Sequence, residues 1–175
     1  MAWFDGAALR ATVIGGVAAS LQGKPRFTDD VDAVVFDEDT SRLIESGRKY
    51  GFAPRIDDAL EFSARTRVLL LQHTSGVDLD LSLGALPFES ETIERSQEVE
   101  ARGLRIRIAS PEDLIVMKAI ARRPQDVADI AGILEVHSNL DVDRIRRWVR
   151  EFSAVLEMPE ILEDLENQLS RRPLP

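Results

Sequence analysis

The chain has 175 residues, 22 Lys and Arg against 31 Asp and Glu, a formal net charge of −9 and no Cys. That length suits one sizeable domain, or one domain with a helical extension, and an apolar fraction of 44% lets it bury a core. Lack of Cys excludes a disulfide framework, a thiolate zinc site and a Cys nucleophile. The acidity excludes non-specific nucleic-acid binding over the whole surface, though not a local basic groove. The longest apolar run is too short to cross a bilayer, and no basic stretch leads into an apolar core at the N-terminus, so a cytoplasmic protein without membrane contact is expected.

In chain order, Phe4 to Leu9 reads as a short helix and Ala11 to Ile14 as a short buried strand. Gly15 to Leu21 is small and apolar, suited to a helix packed tightly on a sheet. Gln22 to Asp29, with Gly23, Pro25 and several charges, is a loop. Asp30 to Phe36 follows as a strand, and Asp39 to Tyr50 has apolar positions at helical spacing, with Gly51 where a helix stops. Ala64 to His73 and Val77 to Leu83 are rich in Val and Leu and are joined by Thr74-Ser75-Gly76, the pattern of a β-hairpin. Pro87 to Arg95 is expected to be a helix. Val99 to Ala101 and Leu104 to Ile108 form a second hairpin around Gly103. Its latter strand is half-buried, with Leu104, Ile106 and Ile108 inward and Arg105 and Arg107 on a basic outer face.

From Ser110 the period becomes helical. Ser110-Pro111-Glu112-Asp113 combines a Ser cap, Pro at the first position and acids in the first turn. Pro124 closes that helix and opens another through Leu134; Asp141 to Leu156 and Pro159 to Leu169 are two more, the first amphipathic. The expected fold class is α+β: a mixed-sheet core over residues 1–109 and a helical region over 110–175, with no flexible linker between them.

Two features of the first half carry chemistry. Val13-Ile14-Gly15-Gly16 sets a Gly pair between an apolar strand and a helix start, where backbone N–H groups attract phosphate. Asp30 and Asp32 stand one residue apart on the next strand, so their side chains leave the same face. Two carboxylates converging near a helix start point to a metal-dependent phosphate site, foremost a nucleotide site, because clustered carboxylates repel unless a cation lies between them. The best source of a third acid is Val77-Asp78-Leu79-Asp80-Leu81-Ser82, where Asp78 and Asp80 share a face and a mixed sheet can bring them beside Asp30. Three carboxylates on adjacent strands bind one or two Mg²⁺ ions through hard oxygen ligands, and such ions orient a triphosphate and stabilise leaving pyrophosphate. Acid–apolar alternation is also what any half-exposed strand shows. Taken alone, Asp78 and Asp80 fit that plainer account better, whereas Asp30 and Asp32 after Gly15-Gly16 fit the phosphate site.

Ile14-Gly15-Gly16, thirteen intervening residues and Asp30-Val31-Asp32-Ala33 together resemble the signature of the DNA polymerase β-like nucleotidyltransferase superfamily. More narrowly, Arg26-Phe27-Thr28-Asp29-Asp30-Val31-Asp32 is similar to the Arg-x-Thr-x-Asp-apolar-Asp stretch of small bacterial nucleotidyltransferases of the AbiEii toxin type. The resemblance implies a mixed β-sheet with helices on one side. It implies that Gly15 and Gly16 cradle an NTP, with Arg26 and Thr28 beside the nucleotide. Asp30, Asp32 and Asp80 would hold Mg²⁺ or Mn²⁺, with Asp78 as the reserve for the third place. A nucleoside monophosphate would pass to an acceptor and pyrophosphate would leave. Gly16 stands where many members carry Ser, and so offers phosphate only its backbone N–H.

In the helical half, Lys118 and Arg122 are one turn apart and share a face, while Asp126 and Asp129 lie on one side of the next helix. The toxin-type enzymes are similar here as well, although Gln125 departs from the Arg or Lys often found at its position. That likeness implies Lys118 and Arg122 on phosphate, and Asp126 positioning or deprotonating the acceptor. The same residues equally suit an inter-helix network in which Lys118 pairs with Asp126 or Asp129. Lys24 and Arg26, in the loop ahead of Asp30, suit contact with triphosphate or acceptor because the loop borders the acids, and suit ordinary loop charges nearly as well. His73 and His137 lack any metal spacing and are expected to be structural or solvent-exposed. Arg144, Arg146, Arg147 and Arg150, with Arg105 and Arg107, suit a polyanion, but Asp141, Asp143 and Glu151 nearby fit a mixed solvated surface better. The expected function is a Mg²⁺-dependent nucleotidyltransferase acting on an unidentified acceptor: tRNA or another RNA, a protein, or a small hydroxylated compound. A non-catalytic binding module and kinase-like phosphoryl transfer are the alternatives. The toxin likeness adds an antitoxin protein as a partner.

Overall fold

The computed structural model describes residues 2–37 and 39–171. The chain forms two compact units, residues 1–17 with 28–109, and residues 18–27 with 110–175.

The first unit runs α1 (Ala2–Gly6), β1 (Ala11–Ile14), the start of α2 (Gly15–Gln22), β2 (Asp30–Val35), α3 (Thr40–Arg48), β3 (Phe52–Pro54), α4 (Ala59–Thr66), β4 (Val68–His73), β5 (Asp78–Leu83), α5 (Pro87–Glu94), β6 (Gln97–Ala101) and β7 (Leu104–Ile108). Among the described residues the strands form one seven-stranded mixed sheet in the order β3-β4-β5-β2-β1-β7-β6. β2 pairs with β5 and β1 with β7 in parallel, and the remaining neighbours are antiparallel. The mixed sheet with its helices agrees with the fold class expected from the sequence pattern.

Strand period two sorts the side chains. Ala11, Ala33, Val35, Leu69, Leu71, Leu79 and Leu81 leave one face and form a buried cluster with Trp3 and Phe4 of α1, Leu43 of α3 and Ala59 of α4. Each fully buried Leu there contributes roughly 2 kcal/mol by leaving water. The register puts Asp30, Asp32, Asp78 and Asp80 on the opposite face, since they alternate with members of that cluster. Asp39 caps α3, accepting from the Arg42 N–H at 2.9 Å.

The structure departs from the local expectations at four places. The hairpin strand does not start at Ala64, because Ala59–Thr66 is helical and the strand begins at Val68. α4 buries Ala59 and Ser63 one turn apart, then stops at Arg67, which adopts φ 58°. A left-handed cap of this kind is ordinarily announced by Gly. Arg67 is held in it by Nε donating to the Leu83 carbonyl at 3.0 Å. β3, between α3 and α4, is a further strand absent from the pattern reading. The first helix is α1, ending at Gly6, because Ala8 turns the chain at φ 51°. On β7, Ile108 is buried but Leu104 is 65% exposed, because it adjoins the tight turn at Arg102-Gly103.

The second unit comprises residues 18–27 with α6 (Pro111–Ala121), α7 (Pro124–Val136), α8 (Val142–Val155) and α9 (Glu160–Ser170). Ser110 caps α6, accepting from the Asp113 N–H at 3.2 Å, and Asp141 caps α8, accepting from the Arg144 N–H at 2.9 Å. Leu114, Ile115, Ile130, Ile133, Ile145 and Leu165 are fully buried. The loop after α2 lies against α7 through two glycines: a Cβ at Gly132 would meet the Lys24 nitrogen at 3.2 Å, and one at Gly23 would meet the Ile133 nitrogen at 3.0 Å. His137 donates from Nε2 to the Gln22 carbonyl at 2.7 Å, a structural role. No helix among the described residues is long and apolar enough to cross a membrane.

Candidate functional site

The first unit gathers the Gly turn and four carboxylates. Gly15 follows β1 directly, at φ +62°, and a Cβ there would lie 1.9 Å from Asp32 Oδ2. Only Gly permits both the left-handed turn and the approach of that carboxylate. Gly16, buried, continues into α2. Ile14 pairs with Asp32 across the β1–β2 ladder, so the turn and the acid are neighbours by register.

The parallel β2–β5 ladder pairs Asp30 with Asp78 and Asp32 with Asp80. Adjacent strands lie about 4.8 Å apart, so the four carboxylates make two rows of like charge on one face. Thr28 Oγ1 donates to Asp30 Oδ1 at 2.9 Å. Asp78 accepts from Gln72 Nε2 at 2.8 Å and lies 3.1 Å from Arg55 Nη1. Arg55 Nη2 lies 2.7 Å from Asp80 Oδ1, yet that buried oxygen receives no aligned hydrogen bond.

Four carboxylates on one face offer the hard oxygen ligands Mg²⁺ prefers, and the underserved Asp80 Oδ1 is an acceptor suited to a cation. As the side chains stand, no three Asp, Glu or His among the described residues converge closely enough to hold an ion. Arg55 supplies positive charge to the β5 acids instead. The donor chemistry fits, and Arg55 stands beside the β5 acids as their positive neighbour. Arg55 carries no signal in the sequence, because it follows β3, a strand of three residues with no clear period of its own.

The second unit holds a separate, buried ionic network. Lys118, 4% exposed, places Nζ 3.1 Å from Asp126 Oδ1 and 2.6 Å from Asp129 Oδ2. Arg26 grips Asp129 with two donors, Nε at 2.9 Å and Nη2 at 3.0 Å, and Gln125 Nε2 adds a third at 3.1 Å. Arg123 donates from its backbone N–H and from Nε to Asp126 Oδ2, at 3.1 and 2.7 Å. Burial alone would raise both carboxyls, but hydrogen bonds from Arg123 and Lys118 outweigh it at Asp126, which lies below the usual range. At Asp129, donors on Arg26, Lys118 and Gln125 outweigh burial and bring the carboxyl to about 2. Both acids are therefore ionised at neutral pH, and three cations face two carboxylates.

Arg122 pairs with other acids than Lys118 does. It ends α6 in the left-handed conformation, φ 56°, and its guanidinium pairs with Glu160 at 3.0 Å and Asp164 at 2.8 Å on α9. Lys24 pairs with Glu135 at 2.6 Å. Arg144 is buried on Asp113 at 2.8 Å, and Arg146 pairs with Glu166 at 2.7 Å, so these arginines serve structure within the helices. His73 packs on Phe52 with ring centroids 4.9 Å apart and lies 2.8 Å from Ser75 Oγ.

Comparison with known proteins agrees with the architecture. The chain is similar to an antigenic nucleotidyltransferase-like protein from Paracoccidioides brasiliensis, with 16% identity, TM-score 0.52, and coverage of 93% of this chain and 87% of that one. It is similar to the lincosamide antibiotic adenylyltransferase LnuA, solved with lincomycin bound, at 16% identity, TM-score 0.55, and 77% and 91% coverage. It is also similar to the antibiotic-resistance factor ANT(2'')-Ia, at 16% identity, TM-score 0.58, and 91% and 90% coverage. At such identities these likenesses concern the fold. No curated protein matches the sequence. A family model described as "Nucleotidyltransferase of unknown function (DUF6036)" matches residues 5–169, and this protein belongs to that nucleotidyltransferase family.

Proposed function

We propose that the protein transfers a nucleoside monophosphate from an NTP to a hydroxyl of an acceptor, with release of pyrophosphate. The observation that carries this reading is the register: Asp32 lies between Ile14, the residue before the Gly turn, and Asp80 of β5. The Gly15 and Gly16 N–H groups at the start of α2 bind triphosphate oxygens. Asp30, Asp32 and Asp80 supply the oxygen ligands for Mg²⁺ or Mn²⁺, with Asp78 beside them. When bound, the ion offsets charge on the triphosphate and on departing pyrophosphate. The acceptor oxygen attacks the α-phosphorus, the bond from that phosphorus to the β-phosphate oxygen breaks, and the acceptor proton passes to a base. Thr28 keeps Asp30 oriented.

The roles of Arg26, Lys118 and Arg122 toward nucleotide, and of Asp126 toward the acceptor, rest on the resemblance to AbiEii-type enzymes. So do an antitoxin partner and an RNA acceptor. LnuA and ANT(2'')-Ia, named for antibiotics, favour a small hydroxylated acceptor instead.

The test uses α- and γ-labelled NTPs with Mg²⁺ or Mn²⁺ and cell extract. Label from the α-position should appear on an acceptor with the wild type and not with the Asp30→Asn, Asp32→Asn double variant. Transfer of γ-label alone identifies phosphoryl transfer. Equal α-labelling by wild type and double variant removes the reading. Binding of nucleotide without transfer is a second reading, favoured by the Arg55 guanidinium beside Asp80. Calorimetry with ATP and Mg²⁺ that shows binding, alongside no transfer of either label, selects it.

A further inference from the structure

Arg55 is tied to the acid face by register. Its backbone N–H donates to the Leu70 carbonyl at 3.2 Å, which carries the β3–β4 ladder one residue beyond Pro54. Leu70 pairs with Asp80, Asp80 with Asp32, and Asp32 with Ile14. Residues opposite one another on neighbouring strands share a face. One row therefore crosses four strands from Arg55 to the residue before Gly15. The Arg55 side chain reaches over Leu70 and divides its donors between two carboxylates of β5, at 3.1 Å to Asp78 and 2.7 Å to Asp80.

The two carboxylates are held differently. Asp78 has Gln72 as well as Arg55, so it remains fixed if either contact changes. Asp80 has a close guanidinium out of hydrogen-bond alignment, and its Oδ1 is buried with no donor serving it. A fork-to-fork pairing with one carboxylate would be strong and directional. Arg55 meets both acids as an ion pair, and only Asp78 has a further donor in Gln72, so Asp80 is held by charge alone.

We propose that Arg55 is a resident counter-cation of the third acid: it neutralises Asp80 in the metal-free protein, yields Asp80 to a divalent cation, and stays anchored on Asp78. The proposal rests on the metal-dependent reading above. It assigns the two β5 acids separate tasks, Asp80 exchangeable and Asp78 a holder of Arg55. It also makes Arg55 a determinant of metal affinity, because a fixed positive charge beside the ligands opposes the entering ion.

The experiment is a titration of the full chain with Mn²⁺ alone, followed by electron paramagnetic resonance, paired with Arg side-chain ¹⁵N NMR of the wild type during Mg²⁺ titration. Arg55→Gln removes the charge and should bind Mn²⁺ about fivefold tighter, from the Coulomb energy of one charge acting on a divalent ion several ångströms away. Arg55→Lys, which keeps the charge, should stay within about twofold of wild type. In the wild type, the Arg55 Nε–H resonance should move with Mg²⁺ in step with the Asp30 and Asp32 amides. Equal or weaker Mn²⁺ binding by folded Arg55→Gln overturns the proposal. So does a stationary Arg55 resonance while the Asp30 and Asp32 amides move, a result that leaves the metal reading intact and needs no variant to fold. Absence of Mn²⁺ binding in wild type and Arg55→Gln alike removes both.

Discussion

At position 15 two constraints coincide: a left-handed backbone at φ +62° and an Asp32 oxygen 1.9 Å from where a Cβ would be. Gly15→Ala is expected to cost about 2 kcal/mol, part backbone strain and part displacement of Asp32. Urea denaturation checks the stability, and loss of nucleotide affinity checks the displacement. Lys118 presents a different problem, a cation buried against Asp126 and Asp129. Lys118→Met should destabilise the protein by roughly 3 kcal/mol at neutral pH, because two buried carboxylates lose a shared partner. The Asp129 carboxyl, at about 2 against an ordinary 3.8, lies lower in the folded chain. Its stabilisation is therefore present in full above about pH 5 and is lost as pH falls through about 2. The stability difference between wild type and Asp129→Asn, followed by denaturation at each pH, should shrink across that window. A difference that instead grew on acidification would contradict the ion-pair account.

Among the elements, β2 and β5 are the pair in which function and stability oppose each other. Their parallel register sets Asp30 beside Asp78 and Asp32 beside Asp80, so metal-free protein carries like charges side by side. Asp30→Asn retains an oxygen for Thr28 and removes one charge; it should raise stability by about 0.5 kcal/mol at low salt, with the gain vanishing in about 1 M salt. Thermal melts at two salt concentrations measure this. Strands and helices with local signals are legible in the sequence. Alternation marks β5, and Asp39, Ser110 and Asp141 mark helix starts that their side chains do cap. β3 and α4 are not legible, for physical reasons: β3 has only three residues, and α4 ends on an arginine forced into a left-handed conformation by its partners Leu83 and Glu89.

For the whole molecule, the net charge of −9 governs its encounters. Much of the positive charge that would attract a polyanion is engaged within the fold: Arg144 with Asp113, Arg146 with Glu166, Arg122 with Glu160 and Asp164, and Arg26 with Asp129. The protein should therefore pass through a heparin column in about 0.1 M salt, since such retention depends on cations neutralising polyanion charge. Retention to high salt would reveal a basic surface outside these pairs and favour a nucleic-acid acceptor.

The chemistry available is readable along the chain. A strand, a Gly pair and two aspartates at period two are local features, readable from covalent spacing and side-chain type. On β5 the apolar alternation likewise marks which face enters the core. Which acid stands beside which, and what cation reaches them, follows from the folded sheet. Those outcomes depend on strand order and register, set by packing one apolar face across residues far apart in the chain. That is why Asp80 falls next to Asp32, and why Arg55, unremarked in the sequence, arrives over Leu70 to meet it.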